Sequence, residues 1–147
     1  MVRHFETGYL DSLMDELSND IATSKSARVI IPVCHIYIEH LMNIIFEKRL
    51  DSVEFKKIME DRYFGFKQKI DKLKEMLELS DDEYHDLDLI NEIRNDFSHE
   101  FKPDLAVISK KIFNLKFHVY NENANPIKVI LDDVITIMAK LEQKILN

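Results

Sequence analysis

The chain has 147 residues, the size of one ordinary globular domain, and is 46% hydrophobic and 32% charged. Two glycines, three prolines and no tryptophan leave too little turn chemistry for a fold of many hairpins, so helices are expected. A formal net charge of −7 argues against a general nucleic-acid coat protein, because phosphate neutralisation supplies most nonspecific affinity.

In chain order, Leu10, Leu13, Met14, Leu17 and Ile21 recur at three and four residues and predict a first helix over about 6–22. The run from Lys25 to Lys48 is apolar on most sides, as expected of a central helix, with Pro32 expected to kink it or mark its start. Cys34 lies in this run as a buried thiol, and as the only cysteine it excludes an intrachain disulfide or a cysteine-rich zinc site. The N-terminus has no apolar signal core, and the longest uncharged apolar run, Val29 to Ile38, falls short of the ~20 residues that span a bilayer. A cytoplasmic protein with no membrane partner is the expectation.

A looser stretch covers about 50–62. Phe66, Ile70, Leu73 and Leu77 then predict a helix ending near Leu79. Ser80-Asp81-Asp82-Glu83 has the form of a capping box, whose acids also oppose the helix dipole, and the helix it opens runs through Leu87, Ile90, Ile93 and Phe97. Pro103-Asp104 precedes a short helix with Leu105, Ile108, Ile112 and Leu115, and the alternation over 116–120 suggests an extended segment. After a polar loop over 121–125, Asn125-Pro126 opens a last helix with Ile127, Leu131, Val134, Met138, Leu141 and Ile145 facing inward. The fold expected is one all-α domain over 1–147, a bundle of five to six helices.

Gly-rich phosphate loops, zinc-binding helix motifs and nucleophile elbows are missing, and no cofactor or metal is expected. His35, Glu39 and Asn43 form a polar stripe on the central helix at i, i+4 and i+8, which must meet water, one another or a site. A hydrogen-bonded structural role is favoured for it, since a metal would need a third ligand. A helix-turn-helix joined at Ser80 fails on charge, because the would-be recognition helix sets seven acids against Arg94. Basic residues do gather nearby, in Arg62, Lys67, Lys69, Lys72 and Lys74 and again in Lys102, Lys110, Lys111 and Lys116.

The remaining constellation is Asn91-Glu92-Ile93-Arg94-Asn95-Asp96-Phe97-Ser98-His99-Glu100. Arg94, four intervening residues and His99, with Asn95 directly after the arginine, resembles the Arg-x4-6-His motif of HEPN domains. These are small helical bundles that often act as metal-independent ribonucleases. The wider pattern over about 25–115 is similar to the mannitol operon repressor branch, which is regulatory. The resemblance implies a homodimer through this helix and its neighbours that brings two motifs into one cleft. It also implies roles: His99 as base toward a ribose 2′-OH, Arg94 on the scissile phosphate, Asn95 orienting the phosphate or a histidine, and Glu39 or Ser98 positioning His99. Lys102 would support RNA binding. On this reading the protein is an endoribonuclease, a toxin or defence effector with RNA as substrate and an antitoxin or regulatory protein as partner. The alternative is a non-catalytic regulatory or protein-binding module. An opposing view of the motif pairs Arg94 with Glu92, Asp96 or an acid on a neighbouring helix and leaves His99 closing the helix at its negative end.

Overall fold

The computed structural model describes Ser12, Asp15, Glu16 and Asn19 together with residues 27–99, 103–117 and 125–147. Six helices are delimited: α1 (Ala27–Arg49), α2 (Ser52–Glu60), α3 (Phe66–Glu75), α4 (Asp81–His99), α5 (Leu105–Phe113) and α6 (Pro126–Leu146). No strand occurs among the described residues, and the fold is an all-α bundle. Of the first helix expected over 6–22, the four described residues are helical and exposed, and the rest lies outside the described residues, as do Glu100, Lys102 and the extended segment beyond Phe117.

α1 is the centre of the bundle because apolar side chains occupy nearly its whole circumference. Ile31, Ile38, Leu41, Met42, Ile44, Ile45 and Phe46 are all buried, against α4 on one side and α6 on the other. Burying such side chains stabilises by about 1.5–3 kcal/mol each. Length and composition alone would let α1 cross a membrane, but more than half of that apolar stretch is buried inside the fold. Pro32 lies inside α1 and does not mark its start. The C-terminal ends of α1 and α6 meet, where Lys48 donates to the Ile145 carbonyl and Arg49 to the Lys144 carbonyl at 2.8 Å. Those carbonyls are among the last of α6, which have no acceptor role within the helix, so two cations at the tip of α1 satisfy them.

α2 occupies the stretch expected to be looser. Asp51 caps it by accepting from the Glu54 N–H at 2.8 Å, but none of its residues is buried, which explains the weak apolar period. α3 ends earlier than its apolar spacing suggests. Glu78 N–H reaches back to the Leu73 carbonyl at 2.9 Å, closing the helix in a Schellman turn, with Leu77 in the left-handed region at φ 62°. Leu77 is consequently 90% exposed rather than inward, and Leu79 is buried beside the core instead.

The capping box that opens α4 forms as its sequence requires. Ser80 N–H donates to Glu83 Oε1 at 2.8 Å, and Glu83 N–H donates to Ser80 Oγ at 3.1 Å. Glu83 also meets Lys144 of α6 at 3.3 Å, so the start of α4 is tied to the end of α6. Leu87, Ile90, Ile93 and Phe97 are buried along one side of α4. Asp104 caps α5 and Asn125 caps α6, and the short α5 buries Ile108 and Ile112 while Leu105 stays 64% exposed.

Two buried carboxyl groups shape the chain after α5. Asp86 of α4 accepts from Lys116 N–H at 2.9 Å and from Phe117 N–H at 3.3 Å, and Asp133 of α6 accepts from Phe117 N–H at 3.0 Å. Lys116 and Phe117 therefore form a bend clasped between α4 and α6, not the start of an extended segment. Burial, followed by the hydrogen bond and the charge of Asp86, pushes the Asp133 carboxyl up to about 9. The shift keeps Asp133 protonated at neutral pH beside Asp86, which also meets His85, with Nδ1 2.8 Å from Asp86 Oδ1.

Candidate anion site on the fourth helix

One face of α4 carries Asn91, Arg94, Asn95 and Ser98, related by the three- and four-residue steps that bring side chains together on a helix. Asn91, Arg94 and Asn95 are half-buried, and Ser98 is exposed. α1 and α3 build the floor beneath them. His35 of α1 is 5% exposed, its ring is stacked on Phe66 of α3 with centroids 3.9 Å apart, and Nε2 lies 3.2 Å from Asn91 Oδ1. Burial is the main cause that lowers the His35 pKa, opposed by the Asn91 bond, while the Arg94 charge lowers it further. The ring is therefore neutral at physiological pH, and because an amide oxygen faces Nε2, that nitrogen carries the proton and donates.

The polar stripe of α1 is absorbed by this junction. His35 goes to Asn91, and Glu39 accepts from the nearly buried Lys69 of α3 at 3.0 Å. Asn43 keeps a buried Oδ1 with no hydrogen-bond partner among the described residues. Among the described residues no group of three His, Cys, Asp or Glu side chains is placed to hold a metal ion.

Arg94 Nη1 donates to Asn95 Oδ1 at 3.1 Å, and among the described residues no carboxylate pairs with this guanidinium. The acids that precede and follow it in sequence are engaged elsewhere. Lys111 of α5 takes Asp96 at 2.7 Å and reaches Glu92 at 3.8 Å, while Lys67 of α3 takes Asp88 at 3.0 Å. Glu92 and Asp96 each stand two positions from Arg94, ~160° away around an α-helix, and face α5 instead. The opposing view of the motif, in which Glu92 or Asp96 neutralises Arg94, does not match these pairings. Three of the five cations in the basic strip over 62–74 are spent in the same way: Lys67, Lys69 and Lys74 are paired with acids, Lys74 with Asp81, while Arg62 donates to the Tyr63 hydroxyl.

His99 is exposed in the last turn of α4. Because α4 is helical without interruption from Arg94 to His99, the two side chains stand ~140° apart on one chain and do not meet. Asn95 is the closer neighbour of His99, at the i, i+4 step. Glu39 is held by Lys69 on the floor of the site and does not contact His99, and no hydrogen bond joins Ser98 to His99. Neither residue contacts His99 within one chain, and Lys102 lies outside the described residues.

Two participants do not stand out as site residues in the sequence. Asn91 reads there only as part of the motif's surroundings, and Phe66 only as a core residue. The signal available for Asn91 is its place one turn before Arg94 and Asn95. The chemistry of the face is one-sided: a guanidinium and two amides at the surface, with the nearby acids already neutralised by lysines. Such a face suits an anion. No family model, curated protein or solved structure matches the chain.

Proposed function

We propose that the protein is a metal-independent endoribonuclease of the HEPN type, a toxin or defence effector acting as a homodimer in the cytoplasm under the control of a partner protein. The observation that carries this reading is the Arg94 guanidinium, half-buried and free of any carboxylate among the described residues. A structural arginine at such a position is ordinarily ion-paired; one left to hydrogen-bond only its neighbouring amide is available to a phosphate.

The division of labour is the one the HEPN resemblance implies. Arg94 holds the scissile phosphate and stabilises the charge that grows on it. His99, exposed in the last turn of α4, takes the proton from the ribose 2′-OH. The 2′ oxygen bonds to phosphorus, the bond from phosphorus to the 5′ oxygen breaks, and that oxygen takes up a proton as it leaves. The product carries a 2′,3′-cyclic phosphate. Since Arg94 and His99 diverge on one helix, the working pair takes Arg94 from one copy and His99 from the other.

The test is incubation of total RNA with the purified protein in EDTA, beside Arg94→Ala and His99→Ala variants checked for folding. Cleavage by the wild type alone, leaving cyclic phosphate ends, is the expected result. Full activity in either variant removes the role assigned to that residue. Intact RNA in every lane favours the non-catalytic regulatory module resembling the mannitol operon repressor.

A further inference from the structure

The two asparagines flanking Arg94 are bonded in the same sense. Asn91 Oδ1 accepts from His35 Nε2 at 3.2 Å, and Asn95 Oδ1 accepts from Arg94 Nη1 at 3.1 Å. An asparagine amide offers one acceptor atom and two N–H donors. Here both acceptors are occupied, that of Asn91 by the buried His35 and that of Asn95 by Arg94 itself, which leaves the amide N–H groups on either side of the guanidinium as the donors for a ligand. His35 cannot itself reach a substrate, being 5% exposed and stacked on Phe66. Its contribution is to hold the Asn91 amide in one of its two orientations.

We infer that Asn91 is a second donor to the phosphodiester bound by Arg94, and that the buried His35 is the residue that positions it. The inference rests on the reading of Arg94 as the phosphate-binding group. The seat is then built from three helices: Asn91, Arg94 and Asn95 on α4, His35 on α1 and Phe66 on α3. An amide flipped the other way would place its oxygen toward the phosphate and repel it, so the stacked imidazole sets the sign of the interaction. Lys69 keeps Glu39 from competing on the same floor.

The experiment measures binding of a fluorescently labelled 12-nucleotide oligouridylate, blocked against cleavage by 2′-O-methyl groups, by anisotropy at low salt. The variants are Arg94→Ala, Asn91→Asp, Asn91→Leu, His35→Phe and His35→Gln, each with its thermal melt. Asn91→Asp retains an acceptor for His35 but removes the donors, and is expected to weaken binding at least tenfold. Asn91→Leu, which adds no charge, should weaken it several-fold. His35→Phe preserves the ring stack on Phe66 but loses the anchoring N–H, and should lower affinity several-fold. His35→Gln restores that donor and should recover affinity, which a packing role alone would not produce.

Wild-type affinity in both Asn91 variants, with Arg94→Ala weakened, overturns the inference and leaves the reading of Arg94 standing. Unchanged affinity in Arg94→Ala, or no binding by the wild type, overturns both. If an Asn91 variant melts below the assay temperature, the two His35 variants decide: equal affinity in Phe and Gln forms overturns the positioning role.

Discussion

Replacing Asp133 by asparagine should make the protein more stable, although it alters a fully buried polar residue. In the folded chain Asp133 holds its proton up to about 9, whereas in the unfolded chain the group has its ordinary value of 3.8. Between these limits the folded state binds one more proton than the unfolded state, so this group's contribution is complete below 3.8 and declines as pH rises. The decline is ~1.4 kcal/mol for each pH unit, which amounts to about 4 kcal/mol by pH 7. The substituted amide would keep the oxygen that accepts from Phe117 and supply an N–H toward Asp86, with no proton to lose. Its second amide hydrogen has no partner in the clasp and subtracts about 1–3 kcal/mol. The net gain at pH 7 is then about 1–3 kcal/mol, and the gap between variant and wild type widens toward pH 9. Urea unfolding from pH 5 to 9 measures this directly. Parallel curves for the two proteins would show that Asp133 does not carry the proton. The mirror substitution separates the roles: Asp86→Asn turns an amide toward backbone N–H groups that both Asp86 oxygens now accept, and should cost roughly 2–4 kcal/mol.

Three further outcomes are expected. Leu77→Gly relieves a left-handed backbone at a residue that is 90% exposed, and should raise stability by about 0.5–1 kcal/mol in denaturant titration; a loss would mean that the leucine has packing the fold does not display. Burial pushes the Cys34 thiol up to about 12, so a thiol reagent at pH 8 should leave native protein unlabelled and modify one cysteine after unfolding, whereas rapid native labelling would contradict the packing of α1. Because burial lowers the His35 pKa, the unfolded chain takes up a proton below 6.5 that the folded chain resists, and stability is lost as pH falls from there. His35→Gln should flatten that acid limb, and an unchanged slope between pH 6.5 and 4.5 would refute it.

Helices with one strong apolar stripe and a marked start are legible in the sequence. The Ser80 capping box, Asn125-Pro126 and the periodic residues of α4 and α6 all describe local structure, and local rules suffice for them. α2 is not legible because it is short and fully buries none of its residues, so the few apolar positions it partly buries, Phe55 and Ile58 among them, make a weak signal. Leu77 is misplaced by the spacing rule, which continues a helix that backbone hydrogen bonding closes earlier. The Asp86 and Asp133 clasp lies beyond such rules, since the partners are 47 positions apart in sequence and each reads alone as an ordinary surface acid. The same holds for His35 and Asn91. The α1 stripe and the α4 motif are both visible in the sequence, but their meeting through a buried imidazole is tertiary.

Charge gives the clearest case of a sequence quantity that misleads when read along the chain. Acids crowd around Arg94 in sequence and favour the view that it is neutralised, and the net charge of −7 argues against a general nucleic-acid coat protein. Helix geometry turns Glu92 and Asp96 to the opposite side of α4, where Lys111 meets them. Lys67 and Lys69 likewise pair with Asp88 of α4 and Glu39 of α1. A paired charge presents only a dipole to its surroundings, whose field fades faster than that of a free ion, and salt screens what remains within about 8 Å. Of the cations that resemble an RNA-binding strip in the sequence, Lys67, Lys69 and Lys74 are partners of acids in the fold and not a free basic surface.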